Sequence, residues 1–183
     1  MLVSILAVLA GGLAALVGYA ATRPSTFRVQ RTTRIAAPPR QILPHLDDFR
    51  AWAGWSPWEK LDPDMKRTFG GPARGVGATY AWDGNRKAGA GRMEITRADE
   101  QAVRLTLDFT RPMKASNVTE FALTPDEGGT VVNWTMDGNN DLMGKLFCVF
   151  VDMDKLVGRD FEKGLASLRA VSEGAPRAAG AAS

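Results

Sequence analysis

The sequence DLMGKLFCVFVDMDKLVGRDFEKGLASLRAVS, residues 141–172, carries the hydrophobic pattern from which the fold class can be predicted. Its apolar residues recur every three or four positions, which is the spacing of one face of an α-helix. These positions are Leu142, Leu146, Phe150, Met153, Val157, Phe161, Leu165 and Leu168. The stretch therefore predicts a long C-terminal amphipathic helix, with Val151-Asp152 as the place where it would break. Three glycines inside it each cost about 1 kcal/mol relative to alanine, so packing rather than propensity must hold the helix.

The partner of this apolar face is a predicted antiparallel sheet. Residues 27–35 form one alternating segment, and from Met65 to Gly138 turn signals separate six further strands. In the clearest strand, 103–109, the apolar and polar residues alternate strictly. Strands with one apolar face imply an antiparallel sheet whose other face meets water. The predicted fold class is therefore α+β, a curved antiparallel sheet wrapped around the long C-terminal helix.

The segment 38–58, between the first strand and the rest of the sheet, predicts two short helices and an aromatic corner. The first begins at Pro38-Pro39, because proline suits a first helical turn. Asp47-Asp48 would cap the second, which contains Phe49 and Trp52. The corner is Trp55-Ser56-Pro57-Trp58.

A strongly curved sheet cannot close on a helix at both ends, so the arrangement predicts an apolar cavity between them. Such cavities bind small molecules. The candidate ligand-binding residues are the tryptophans of the corner and the large inward side chains of the sheet and helix. They are Trp52, Trp55, Trp58, Tyr80, Trp82, Met93, Leu105, Leu107, Phe109, Phe121, Trp134, Met136, Phe150, Met153 and Val157. The same residues would also serve as ordinary core, since packing is the commoner role of tryptophan and methionine.

The two ends of the chain differ from the body. Residues 1–22 carry no charge, and their length suits a single transmembrane helix. A cleaved signal peptide and a buried core helix are the alternatives. Arginines follow this segment before the first acidic residue, Asp47, which favours a single-pass membrane protein with a cytoplasmic domain. Cleavage would instead leave the domain periplasmic or secreted. Residues 174–183 are predicted to be a disordered tail.

Composition excludes several classes of function. The chain has 183 residues, one cysteine and one histidine, so an internal disulfide, a thiolate zinc cluster and a multi-histidine metal site are all excluded. The net charge of +3 is too small to argue for nucleic acid. We assign no catalytic residue, metal or cofactor. His45 is interpreted as a surface residue and Cys148 as a buried small hydrophobe, and Glu94 and Glu120 are placed on the solvent face of the sheet.

Three groups of residues resemble one known superfamily. They are Phe49-x-x-Trp52-x-x-Trp55-Ser56-Pro57-Trp58, Tyr80-x-Trp82-x-Gly84 and Phe161-Glu162-x-Gly164-Leu165. With the order of elements, they resemble the SRPBCC (START-like) superfamily, which includes polyketide cyclases/dehydrases, lipid-transfer domains and the birch-pollen allergen. The resemblance covers residues 27–172 as one ligand-binding domain and implies the helix-grip fold. It implies no catalytic residue set.

The function expected from these features is a membrane-tethered binding module for a lipid-like or polycyclic hydrophobic molecule, with residues 1–22 as the membrane contact. One alternative is an enzyme of the cyclase/dehydrase type, which requires polar groups inside the cavity. The other is a stress or interaction scaffold whose cavity is filled by its own side chains. We expect no nucleic-acid partner, and the sequence leaves the oligomeric state open.

Overall fold

The computed structural model describes residues 1–174, and of the predicted tail only Gly174 lies within this range. The helices are α1 (Leu2–Ala21), α2 (Pro39–Leu46), α3 (Leu142–Phe150) and α4 (Met153–Ser172), with two short 3₁₀ turns at Ala51–Gly54 and Pro57–Lys60. The strands are β1 (Thr26–Ile35), β2 (Lys66–Gly70), β3 (Thr79–Asp83), β4 (Ala90–Ala98), β5 (Ala102–Arg111), β6 (Ala115–Asp126) and β7 (Gly129–Asn139).

The seven strands form one antiparallel sheet in the order β1-β7-β6-β5-β4-β3-β2. Register shifts interrupt the β4–β5 pairing at Ala90/Gly91 and at Ile95/Arg97. Bulges of this kind bend a strand and increase its twist, which helps the sheet to curve. The α+β class and the curved antiparallel sheet are confirmed.

The predicted C-terminal helix is divided where the sequence placed the break. Val151 is extended, and the Asp152 side chain accepts a hydrogen bond from the Lys155 backbone N–H at 3.1 Å, so a new helix begins there. Asp141 caps α3 in the same way through Gly144, at 2.7 Å. Each aspartate satisfies a backbone donor that the first turn of a helix leaves unpaired. The longer piece, α4, is the helix that the sheet grips.

The core lies between α4, α2 and the concave face of the sheet. Phe161, Leu165 and Leu168 of α4 are buried against sheet residues that include Val103 and Val132. Arg31 of β1 joins the same two layers, since its guanidinium donates to Asp154 at 2.9 Å and to Glu162 at 2.8 Å. The two carboxylates raise the pKa of Arg31. Hydrophobic packing and this ion-pair network together fix α4 to the first strand.

The second predicted short helix is a 3₁₀ turn and not an α-helix. The 3₁₀ turn Ala51–Gly54 stands in its place, and neither predicted aspartate caps an α-helix. Asp47 is buried and accepts from the Arg74 guanidinium at 2.9 Å, while Asp48 accepts from the Arg50 backbone N–H at 2.8 Å. A tertiary ion pair therefore replaces the local cap at Asp47.

The N-terminal helix α1 projects from the domain. Ser4–Ala21 is long and apolar enough to cross a membrane, with a mean hydropathy of 2.0, although a signal sequence or a core helix can share these properties. Its C-terminal end lies beside α3, where the Lys145 ammonium donates to the Ala21 carbonyl at 3.4 Å. The arginines used to orient the segment have structural partners as well. Arg28 pairs with Asp137 and Arg34 with Asp126 on the surface of the sheet, so acidic residues of the domain partly neutralise the positive charge after α1.

Candidate functional site

A cavity of about 830 Å³ opens at one end of the sheet, between the concave face and helices α3 and α4. Strands β3 to β7 supply its floor, the turns after β3 and β5 supply its rim, and α3 lies across its entrance. Volumes between about 300 and 1,000 Å³ are typical of small-molecule sites. The cavity exists because α4 packs closely against the other end of the sheet, while here the shorter α3 is held away from it.

Eleven of the fifteen predicted binding residues line this cavity. They are Trp52, Trp58, Tyr80, Trp82, Met93, Leu107, Phe109, Trp134, Met136, Met153 and Val157. The alternation of side chains along β3, β5 and β7 placed most of them correctly on the concave face.

The other four predicted residues lie elsewhere. Leu105 and Phe121 are fully buried in the core, and Trp55 is 2% exposed. Trp55 instead donates its indole N–H to the His45 carbonyl at 2.8 Å. Phe150 lies at the end of α3, is 74% exposed and does not line the cavity. The hydrophobic pattern predicts the inward face or the helix of these residues, but not how far the cavity extends along the sheet.

The tryptophan corner serves both packing and the cavity. Trp52 and Trp55 pack together with ring centroids 5.0 Å apart, and the Trp52 indole donates to the Leu46 carbonyl at 3.1 Å. These bonds satisfy both indole N–H groups in the interior. Trp58 is less buried and packs edge-on against Trp134 and Phe161, at 5.7 and 6.2 Å. Trp52 and Trp58 therefore form one wall of the cavity while closing the corner.

The hydrogen bonds that join Tyr80 on the cavity wall to Glu59, and Glu59 to Arg67, were not predicted. The Tyr80 hydroxyl donates to Glu59 Oε1 at 2.6 Å, and the Arg67 guanidinium donates to Glu59 Oε2 at 2.7 Å. Burial and the neighbouring carboxylate raise the pKa of Tyr80, while the carboxylate raises the pKa of Arg67. Tyr80 therefore stays protonated and Arg67 stays charged. Glu59 directly follows Trp58 in the sequence, which was the available signal for an acidic residue beside the aromatic wall.

Three further cavity-lining residues carry a buried polar atom that has no hydrogen-bond partner among residues 1–174. They are Asn117 Oδ1, Thr119 Oγ1 and Trp134 Nε1, on the adjacent strands β6 and β7. The residues are between 2% and 5% exposed. A buried polar group without a partner costs about 1–3 kcal/mol. The floor of the cavity thus combines apolar surface with unused hydrogen-bonding capacity.

The remaining candidate residues take no part in these polar groups of the cavity. Glu94 pairs with Arg92 at 2.8 Å and Glu120 with Arg104 at 3.8 Å. His45 is half-buried, and burial lowers its pKa. Cys148 is also only half-buried, and it lines the cavity from α3, whereas the sequence predicted full burial. Among residues 1–174 there is no group of three histidine, cysteine or acidic side chains that could hold a metal ion.

Solved structures share this architecture at low sequence identity. Protein CV1439 from Chromobacterium violaceum is 18% identical, with a TM-score of 0.57 over 82% of this chain and 99% of its own. Aha1 from Colwellia psychrerythraea is 18% identical, with a TM-score of 0.56 over 80% and 96%. The major latex-like protein 151 from Panax ginseng is 13% identical, with a TM-score of 0.58 over 81% and 99%. These likenesses establish the fold alone.

Sequence comparison extends the likeness to one family. No curated protein matches the chain. The family model described as polyketide cyclase/dehydrase and lipid transport matches residues 26–173, which is the whole folded domain without α1.

Proposed function

Because the chain belongs to the polyketide cyclase/dehydrase and lipid-transport family, we propose that it is a membrane-tethered module that binds a lipid-like or polycyclic hydrophobic molecule. The ligand lies between the sheet and helices α3 and α4. The observation that carries the proposal is the cavity of about 830 Å³, whose lining includes nine aromatic and six methionine side chains. A scaffold with a filled interior would have no such space.

The lining favours a ligand with a large apolar body. Met93, Met136 and Met153 reach the cavity from three different elements. The flexible thioether of methionine adapts to ligands of different shape. Burying an apolar ligand here gains about 25 cal/mol for each Å² removed from water.

The polar groups favour a ligand that also carries an oxygen function. Tyr80 and Glu59 are already bonded to each other, but their remaining lone pairs can accept a hydrogen bond from a ligand hydroxyl. Thr119 and Trp134 supply donors that no group in the described part of the chain accepts. An apolar molecule with one or two hydroxyl or carbonyl groups fits this pattern better than a pure hydrocarbon.

The tether is proposed for α1. Only 6% of Ser4–Ala21 is buried, so the helix resembles a membrane segment more than a core helix. Its length of 20 residues corresponds to about 30 Å of helix, which matches the hydrocarbon core of a bilayer. Apolar ligands partition into bilayers, so a tether keeps the domain where such ligands are concentrated.

A fluorescent lipophilic probe tests the binding site. The purified full chain in detergent should bind the probe with one site per chain, and an added sterol or fatty acid should displace it. Leu107→Trp fills the cavity from β5, and Thr106→Trp adds the same ring beside it on the opposite face of the strand. Leu107→Trp should abolish binding, whereas Thr106→Trp should preserve it. Equal binding by both variants would place the probe outside the cavity and contradict the proposal.

One observation favours an enzyme as the second candidate. The Tyr80–Glu59 pair places a protonated phenol and a carboxylate on the wall of an apolar cavity, as acid–base chemistry at a carbonyl would require. The test is exchange of deuterium from solvent into the carbon beside the carbonyl of a bound ketone. Catalysed exchange that Tyr80→Phe abolishes without loss of binding would support the enzyme. Exchange at the uncatalysed rate would exclude it for that ketone.

A further inference from the structure

The entrance of the cavity carries exposed apolar side chains from two elements. Helix α3 exposes Leu142, Met143, Phe147 and Phe150, each between 40% and 74%. The turn between β5 and β6 adds Met113, which is 46% exposed. Met113, Met143 and Phe147 line the cavity and lie at its opening, and Leu142 and Phe150 extend the exposed apolar surface of α3 beyond it. Soluble surfaces rarely expose a contiguous apolar patch of this kind without a partner.

Basic side chains alternate with these apolar residues. Lys87 and Lys114 are exposed at the rim, and neither forms an ion pair within residues 1–174. Arg111 lies beside them and pairs with Asp83. The other carboxylate at the rim, Asp141, caps α3. The rim therefore carries a net positive charge around an apolar centre.

The end of α1 lies on the same side of the domain. The Asn140 backbone N–H donates to the Ser25 carbonyl at 2.8 Å, and Lys145 on α3 donates to the Ala21 carbonyl. These two contacts hold the start of α3 beside the point where α1 leaves the domain. If α1 crosses a bilayer, its C-terminal end marks the level of the membrane surface, and α3 lies at that level.

We propose that this mouth face, defined as Lys87, Arg111–Lys114 and Leu142–Phe150, docks on the anionic surface of the bilayer that anchors α1. The exposed residues of α3 and Met113 enter the boundary between head groups and acyl chains, and Lys87 and Lys114 contact anionic head groups. The cavity then opens directly into the lipid, so an apolar ligand enters without crossing water. This inference rests on the proposed membrane tether and adds the surface through which the domain contacts the membrane.

The test measures the depth of single labels in the reconstituted full chain. Cys148 is the only cysteine, so a Cys148→Ser background accepts one new cysteine at a time. The environment-sensitive dye NBD is attached at Met113→Cys and Phe150→Cys on the mouth face. Glu100→Cys, in the turn after β4, is the control at the opposite end of the sheet, and Leu9→Cys reports on α1. The vesicles contain phosphatidylcholine with or without phosphatidylglycerol, and doxyl-labelled lipids quench dyes inside the bilayer.

The expected result is quenching at positions 113, 150 and 9 and none at position 100. Quenching at position 9 alone would keep the tether and overturn the docking. No quenching at position 9 would overturn the tether and with it the docking. Probe binding by the same preparations reports separately on the cavity. A label at position 113 that stays in water in vesicles, but is shielded by an added acidic protein, would also overturn the membrane as the partner.

Charge variants of the rim test whether docking requires anionic lipids. Each basic residue near an anionic surface contributes about 1 kcal/mol, so Lys114→Gln should lower the ratio of docked to undocked protein about fivefold. Arg97→Gln removes one charge from the opposite end of the sheet and should leave the ratio unchanged. Vesicles without phosphatidylglycerol should reduce quenching at position 113 for the unaltered rim. Equal quenching in both kinds of vesicle, with no effect of Lys114→Gln, would overturn the role of the basic rim.

Discussion

The indole of Trp134 on β7 lies face to face with the phenyl ring of Phe161 on α4, with ring centroids 3.9 Å apart and ring planes 10° from parallel. Both side chains line the cavity. On the other side of this pair, Leu165 and Leu168 close the core against the sheet. The stacked rings therefore form the boundary between the packed half and the open half of the interior.

Gly164 makes this close stacking possible. A Cβ at position 164 would lie 2.7 Å from Trp134 Cζ3 and 3.3 Å from Pro57 Cδ. Gly164→Ala gains up to about 1 kcal/mol of helix propensity, but overpacking a core costs about 1–3 kcal/mol. We expect net destabilisation in urea unfolding, with the Trp134–Phe161 pair displaced. Lys163→Ala, on the exposed face of the same turn, should stay within about 0.5 kcal/mol of wild type. A more stable Gly164→Ala protein would mean that the rings are not packed against the helix backbone.

A substitution at Thr119 tests whether the unpaired polar groups of the cavity floor bind the ligand. Thr119→Val keeps the shape of the side chain and removes a buried hydroxyl for which the described residues offer no partner. Removing an unsatisfied buried group should stabilise the ligand-free protein by about 1 kcal/mol. The same change should weaken binding of a hydroxylated ligand and leave binding of a hydrocarbon probe unaltered. Calorimetric melting and probe titration on the same samples separate the two effects, and a loss of stability would show that the hydroxyl has a partner.

His45 gives the protein a pH dependence near neutrality. Burial lowers the pKa of the folded state below the value of about 6.5 usual for histidine. The unfolded chain then binds the proton more readily, so stability falls as pH drops through about 6.5 towards the lower pKa of the folded state. His45 is the only histidine, so its imidazole resonances report the folded pKa directly by NMR. His45→Gln should flatten the loss of stability over this pH range. A titration midpoint at or above the usual value would contradict the structure.

The raised pKa of Tyr80 predicts that stability falls as the pH rises into the alkaline range. Burial and Glu59 raise its pKa, so the folded state favours the protonated phenol. Its contribution to stability is fully present below about pH 10, the usual tyrosine value, and is lost as pH rises from there through the higher pKa of the folded state. Ultraviolet titration should show one phenol that ionises late, in step with unfolding. Tyr80→Phe should remove this late component and Tyr19→Phe should retain it. The reverse assignment would mean that the Tyr80–Glu59 hydrogen bond does not form in solution.

The layers of the fold could be predicted from the sequence because periodicity reports which face of an element is buried. The alternation in 103–109 placed Leu107 and Phe109 on the concave face of β5, where the structure has them. The spacing in 141–172 placed Phe161 and Leu165 against the sheet, and Asp152 marked the start of a new helix. These features depend on local sequence alone.

The extent of the cavity could not be predicted in the same way. Leu105 and Leu107 point to the same face of one strand, yet only Leu107 lines the cavity. The difference depends on where α4 leaves the sheet, which is a tertiary property. Phe150 was assigned to the cavity because it continues the apolar spacing of α4, but the break at Val151 turns α3 and exposes Phe150.

The hydrogen bonds of Glu59 with Tyr80 and Arg67 could not be predicted for a related reason. Glu59 and Arg67 are eight positions apart and belong to no helix or strand in common, so no periodicity connects them with Tyr80. Asp47 was similarly expected to cap a helix, and its partner, Arg74, lies in a distant loop. Ion pairs between segments that the fold brings together leave no regular spacing in the sequence.

Native mass spectrometry of the full chain, released from detergent or nanodiscs, shows directly whether the cavity holds an apolar ligand. Wild type and Thr106→Trp should each show one bound apolar molecule per chain, identifiable after extraction, and Leu107→Trp should show the bare polypeptide mass. The proposed binding function would be contradicted if wild type appeared at its bare mass and bound no added lipophilic molecule, or if Leu107→Trp kept the same bound species.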